Sequence, residues 1–202
     1  MGINTRFYAP HFEQVLSCEF NQEYIDKATT KVIGQSNVLL YKKSSPDFLR
    51  QIKKSYQNMG RIDTPIFYLD AHFYDPNRLQ KWVVRDELDA LRGFNNCIIV
   101  IHDFDNGKHG HCIYDGEPLG MKVVREKLLE VNPYFSFYTN RSCDIIKEED
   151  VEGIDGLVAD SETIDNIRYA HSEERLTKRG LLYCTPKPLN SKYNLDEIKF
   201  RK

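Results

Sequence analysis

No run in the 202 residues approaches the ~20 consecutive apolar residues of a membrane-spanning helix, and the first residues do not form a signal-peptide pattern. Charge of one sign is also lacking. Lys and Arg total 28 against 30 Asp and Glu, a net charge of −2, which gives no electrostatic case for nucleic acid or for an anionic membrane surface. There is no CxxC pair, and the five cysteines (Cys18, Cys97, Cys112, Cys143 and Cys184) are an odd number. That speaks against a zinc ribbon or a disulfide framework and for reduced, mostly buried thiols in a cytoplasmic protein. Repeats, low-complexity tracts and Gly/Ser-rich linkers are absent. The expected organisation is one α/β domain over 1–186 with a polar surface tail over 187–202. A full GxGxxG is missing too, which disfavours an NAD-type oxidoreductase.

What is present centres on Pro65–Asp105. Two apolar strands, Ile66–Leu69 and Cys97–Ile101, each end in an acid and a histidine: Asp70-Ala71-His72 after the first, His102-Asp103-Phe104 after the second. Short apolar runs of this kind suit strands buried on both faces of a parallel sheet. Between them Pro76–Arg92 reads as a helix, capped by Asp75, opened by Pro76 and ended by Gly93, with Leu79, Trp82, Val83, Leu88 and Leu91 near one stripe. A strand–helix–strand crossover brings both polar clusters to the C-terminal edge of the sheet, where open α/β sheets bind ligands.

The same alternation runs through the earlier chain. Gly2–Tyr8 reads as a Gly turn entering a short helix capped by Asn4 or Thr5 and limited by Pro10. Val15–Cys18 is a strand ending at Glu19, and Asn21 caps a helix over Gln22–Ile33 that ends at Gly34. Val38–Tyr41 is a strand, and Ser45-Pro46 opens a helix through Tyr56. Later, Asp105–Gly116 reads as a polar loop, Pro118–Val131 as a helix, and Tyr134–Tyr138 and Leu181–Thr185 as strands. Arg141–His171 is acidic, with a short helix expected near Ser161–Ala170. No apolar strand precedes Gly2, so the expectation is a chain truncated at its N-terminal side.

Gly2 with Glu19 is the spacing of a nucleoside site: a glycine turn at a helix start and an acid about 20 residues on, at the next strand end, to accept from both ribose hydroxyls. A turn glycine with a surface acid is the plainer alternative. Asp70, His72, His102 and Asp103 could hold a divalent cation or deprotonate a hydroxyl; as the alternative, they cap loops and fill the sheet edge. His109 and His111 near Asp105 form an HxH pair, set against a solvated or substrate-covering loop. The aromatics Tyr134, Phe135, Phe137 and Tyr138 read as core and sheet edge, because interleaved Lys and Arg are missing.

Taken together, VLSCEFNQEYIDKA (Val15–Ala28), FYLDAH (Phe67–His72), RDELDAL (Arg85–Leu91), IVIHDF (Ile99–Phe104) and GLLYCTP (Gly180–Pro186) resemble class I S-adenosylmethionine-dependent methyltransferases, in particular small-molecule and sugar O-methyltransferases of the macrocin type. The resemblance covers most of Gly2–Phe104 and does not extend over Asn140–Arg179. It implies a Rossmann-like, mostly parallel sheet with helices on both faces and a reversed C-terminal strand. It implies S-adenosylmethionine as methyl donor and a small-molecule hydroxyl as acceptor; a homo-oligomer is compatible with it. By position, Gly2, Asn4 and Thr5 would lie by the methionine part of the cofactor, Glu19 at the ribose and Ser44 at the adenine. Asp70 would lie beside the methionine moiety or a metal. Asp103 with His102 matches the acidic pair that binds Mg²⁺ in the metal-dependent subset, so Asp70 and Asp103 are the metal candidates, although a histidine stands where the first acid is expected. His72, His102 and Asp103 are the catalytic candidates. The resemblance also implies that the first, central strand of the sheet is missing from this chain. A non-catalytic nucleoside-binding or scaffold domain is the alternative function.

Overall fold

The computed structural model describes residues 3–60, 63–71, 81–107, 111–140, 179–190, 192–193 and 195–199, with 3 and 4 described by backbone alone. The chain is a mixed α/β fold, and no barrel closes among the described residues. Strands β1 (Val15–Glu19) and β2 (Val38–Lys42) are joined through α2 (Gln22–Lys31); β3 (Ile66–Leu69) and β4 (Ile98–His102) are linked across α4 (Val83–Leu91). Helix α3 (Ser45–Asn58) connects the two pairs, and α1 (Ile3–Tyr8) precedes β1. After β4 come a hairpin of β5 (Ile113–Tyr114) and β6 (Glu117–Pro118), helix α5 (Met121–Val131), and strands β7 (Ser136–Asn140), β8 (Leu181–Thr185) and β9 (Leu195–Glu197).

Local chemistry explains most boundaries. The Asn21 side chain accepts from the Glu23 N–H at 2.9 Å and satisfies a first-turn donor of α2. Pro46 sits in the first turn of α3, where its missing N–H costs nothing. Gly93, at φ 73°, adopts the left-handed conformation that ends α4.

Several expectations need correction. Ile3 already opens α1, so Asn4 and Thr5 lie inside that helix and do not cap it; Pro10 then tightens the next turn into a 3₁₀ helix over Ala9–His11. Helix α4 begins at Val83 and not at Pro76: Lys81 and Trp82 are non-helical, and residues 72–80, with Asp75 and Leu79, lie outside the described residues. Pro118 belongs to β6, and α5 starts at Met121. The polar loop contains a two-residue hairpin whose turn, Asp115 (φ 49°) and Gly116 (φ 76°), has the left-handed geometry that matches strand twist. Tyr134 is exposed, and β7 starts two residues later, at Ser136. The tail is not all surface coil, since β9 adds a strand against β7. Arg141–His171, including Cys143, lies outside the described residues.

The larger sheet has the order β3-β4-β8-β7-β9. The β3–β4 pair is parallel, and β8 runs antiparallel to β4 and β7. Register stacks Phe67, Ile99, Cys184 and Phe137 in one row, and Leu69, Ile101 and Leu182 in the next. Leu88 and Leu91 of α4, Leu128 and Val131 of α5, and Leu49 of α3 close over these rows in one buried cluster. Each fully buried Leu or Ile there contributes on the order of 1.5–3 kcal/mol. The opposite face carries Tyr68, Val100, Tyr183 and Tyr138.

β1 and β2 form a separate parallel pair, not hydrogen-bonded to β3. That break explains another departure. Ile66 is 45% exposed, where a strand covered on both faces was expected, and every residue of β1 is half-buried.

Gly180 ties β8 to the end of β4. The Phe104 N–H donates to its carbonyl at 2.9 Å, and a Cβ at 180 would overlap the Phe104 carbonyl oxygen. Gly180→Ala is expected to cost about 1–3 kcal/mol in urea unfolding; a loss within about 0.5 kcal/mol would contradict this close approach.

Candidate functional site

The site follows from the register. Leu69 lies opposite Ile101, so the next residues along the two chains, Asp70 and His102, meet at the C-terminal edge. His102 Nδ1 is 2.9 Å from Asp70 Oδ1 and 3.3 Å from Asp103 Oδ1. The three donor atoms lie within 4.8 Å of one another. Asp103 adopts φ 56°, a left-handed conformation uncommon for a residue with a side chain, and this turns its carboxylate back toward the imidazole. Arg179, in a short bridge just before β8, places Nε 3.1 Å from Asp103 Oδ1.

The electrostatics are those of two acids around one imidazole. Burial disfavours charge on His102, but the adjoining carboxylates of Asp103 and Asp70 outweigh it, and the pKa rises to about 9. The ring is therefore protonated at neutral pH. Nδ1 lies within 3.3 Å of both carboxylates, although neither approach is well directed. The Tyr68 ring lies 5.9 Å from the His102 ring, and burial with the Asp70 charge pushes its phenol pKa upward.

The walls of the site are pinned by packing. Trp82 is buried and stacks on Tyr114 with centroids 4.4 Å apart, holding the β5–β6 hairpin beside the start of α4. Glu87 of α4 is also buried, and it lines a small internal cavity with Trp82, Ala71, Leu69 and His102. A larger open cleft of about 660 Å³ lies beyond Asp103, bordered by Asp105, Asn106 and the hairpin turn.

Of the expected site residues, Asp70, His102 and Asp103 converge. Glu19, the last residue of β1, is not part of that cluster; its Oε1 accepts from the Asn21 N–H at 2.8 Å, and Oε2 has no hydrogen-bond partner among the described residues. Ser44 precedes α3 and bonds Asp47 at 2.7 Å. Thr5 is half-buried in α1. Gly2, His72 and His109 lie outside the described residues, as does the side chain of Asn4. His111 Nδ1 is 3.7 Å from Asp105 Oδ1, apart from the cluster. Sequence reasoning missed Arg179, which sits far along the chain in an unmatched stretch and carries no local signal. It also missed the structural role of Trp82.

The set of one imidazole nitrogen and two carboxylate oxygens fits a divalent cation, with the nitrogen favouring a transition ion over Mg²⁺. Comparison with family models, curated proteins and solved structures finds no match to this chain. Among the described residues no helix is long and apolar enough to cross a membrane.

The raised pKa links the site to stability. In the unfolded chain His102 titrates near ~6.5, so its protonated form stabilises the fold fully below that pH, and the contribution disappears as pH rises through about 9. Wild-type urea midpoints are expected to fall across this window, and His102→Gln to flatten the slope. Equal slopes for the two proteins would show that the ion cluster is not formed.

Proposed function

We propose that this chain is a methyltransferase-type α/β domain that transfers a methyl group from S-adenosylmethionine to a hydroxyl of a small molecule or sugar. The observation that carries the reading is the convergence of Asp70, His102 and Asp103 at the ends of adjacent parallel strands. The parallel pairs β1–β2 and β3–β4 and the antiparallel β8 are consistent with it; in this reading β2-β1 and β3-β4-β8-β7 would belong to one Rossmann-like sheet with a reversed C-terminal strand.

In this reading Glu19 Oε2 accepts from the ribose, Gly2, Asn4 and Thr5 border the methionine part, and Ser44 borders the adenine. Bound S-adenosylmethionine supplies an already activated methyl group, so the protein's task is mainly positioning and proton removal. A histidine protonated at neutral pH cannot accept the hydroxyl proton; His102 instead neutralises the two carboxylates, and Asp103 or His72 accepts the proton. A divalent cation would be held by Asp70, His102 and Asp103, and would lower the pKa of the acceptor hydroxyl. Arg179 holds the Asp103 carboxylate in place.

The break between β1 and β3 favours a second reading, a nucleoside-binding or scaffold domain without turnover. Thermal-shift titration with S-adenosylhomocysteine, with and without divalent cation, supports either reading by a rise in Tm and opposes both by none. Glu19→Ala is expected to weaken calorimetric binding of S-adenosylhomocysteine roughly tenfold. Asp103→Asn is expected to lower turnover while leaving that affinity within about threefold. Unchanged binding in the first variant, or unchanged turnover in the second, would count against these roles.

A further inference from the structure

We propose that Arg179 is a built-in competitor for the divalent-ion site of Asp70, His102 and Asp103: its guanidinium holds the cation position on Asp103 until an ion loads and displaces it. The inference rests on the ion-holding part of the reading above and not on methyl transfer.

The geometry puts two claimants on one oxygen. Asp103 Oδ1 lies 3.3 Å from His102 Nδ1 and 3.1 Å from Arg179 Nε. Asp70 Oδ1 is 2.9 Å from the same Nδ1, and the three side chains bring donor atoms within 4.8 Å of one another. An ion ligated by a carboxylate oxygen sits ~2.2 Å from it. Bound to Oδ1, it could be no farther than about 5.3 Å from Nε, whatever its direction. A divalent ion and a guanidinium that close repel strongly, because the Asp103 side chain is only 13% exposed and little water comes between them. A proton on His102 carries half the charge of such an ion and is repelled correspondingly less, so the competition bears chiefly on the ion.

Arg179 cannot yield by losing its charge, since a guanidinium stays protonated. It has to turn aside, and the structure leaves the side chain to do so. The backbone around it is pinned. Asn140 Nδ2 donates to the Arg179 carbonyl at 3.1 Å, the Leu181 N–H donates to Asn140 Oδ1 at 2.9 Å, and the Phe104 N–H donates to the Gly180 carbonyl at 2.9 Å. The side chain is held less firmly: it is 37% exposed, and Nη1 reaches the His111 carbonyl only at 3.5 Å. An ion pair open to water on one side is weak enough to be exchanged.

The donor set says which kind of ion. One imidazole nitrogen beside two carboxylates suits a transition ion that takes mixed nitrogen and oxygen ligands. Mn²⁺ is the suitable probe, because the half-buried thiols of Cys18 and Cys112 attract it weakly.

The test is Mn²⁺ binding to the full chain at one fixed pH, read from loss of the free-ion EPR signal, in wild type, Arg179→Gln and Arg179→Lys. The neutral variant should bind Mn²⁺ roughly tenfold tighter or more, the lysine variant should stay near wild type, and His102→Gln should lose the site. Weaker or unchanged binding in Arg179→Gln overturns the proposal, since the guanidinium would then support the site or ignore it. Equal tightening in both arginine variants also overturns it, because shape and not charge would be the cause, as does Mn²⁺ binding that survives His102→Gln. Should Arg179→Gln fail to fold, the wild-type chain decides by nitrogen-15 NMR: saturating Zn²⁺ should move the Arg179 Nε–H signal to the position of an exposed arginine. A signal that stays in place while the His102 ring shifts overturns the proposal. Absence of Mn²⁺ binding in every protein would overturn the inference together with the ion-holding reading; Mn²⁺ binding indifferent to Arg179 would overturn the inference alone. S-adenosylhomocysteine takes no part in this measurement, so its failure to bind would leave the result unaffected.

Discussion

The parallel register of β3 on β4 is the constraint on which the rim depends. With Leu69 held opposite Ile101 by backbone pairing and by burial of both side chains, Asp70 and His102 have to emerge as neighbours. A one-residue slip of β3 would turn Phe67 and Leu69 out of the core, at a cost of several kcal/mol. The acids are therefore brought together by apolar packing below them and not by their own attraction. Two carboxylates so placed repel unless positive charge lies between them, and the protonated His102 with Arg179 supplies it.

This arrangement leaves the site with two ways of balancing charge. A proton on His102 and the Arg179 guanidinium suffice when nothing is bound. A divalent cation bound by the same three donor atoms would have to displace that proton, because a metal ligates neutral imidazole. Proton and metal then compete for one nitrogen, and metal affinity should rise with pH.

Much of the fold is legible in the sequence where burial is one-sided and local. The apolar runs of β2, β3, β4 and β8, the Asn21-capped helix α2 and the proline-opened helix α3 lie within a residue or two of expectation. The same holds for Asp70, His102 and Asp103, whose position after apolar runs already puts them at one edge. The departures have physical causes. β9 has a single aliphatic residue, Leu195, and is held by backbone pairing to β7, which no hydropathy pattern records. The start expected at Asp75 and Pro76 lies outside the described residues, while the buried Trp82 precedes the first turn of α4 and stacks on Tyr114. The hairpin did have a signal, the Asp115-Gly116 pair, obscured by the polar composition around it. Arg179 reaches Asp103 across 76 positions, a contact that only tertiary structure can make.

The charged rim begins at β3, which pairs with β4 along one edge and, among the described residues, with no strand along the other. Whether that cluster exists in solution is read most directly from the ring carbon and proton shifts of His102, followed by NMR from pH 5 to 10 in the intact chain. A midpoint near 9, moving down in Asp70→Asn, is the expected result; a midpoint at or below the ordinary ~6.5 of histidine would contradict the central claim that two carboxylates close on one imidazole.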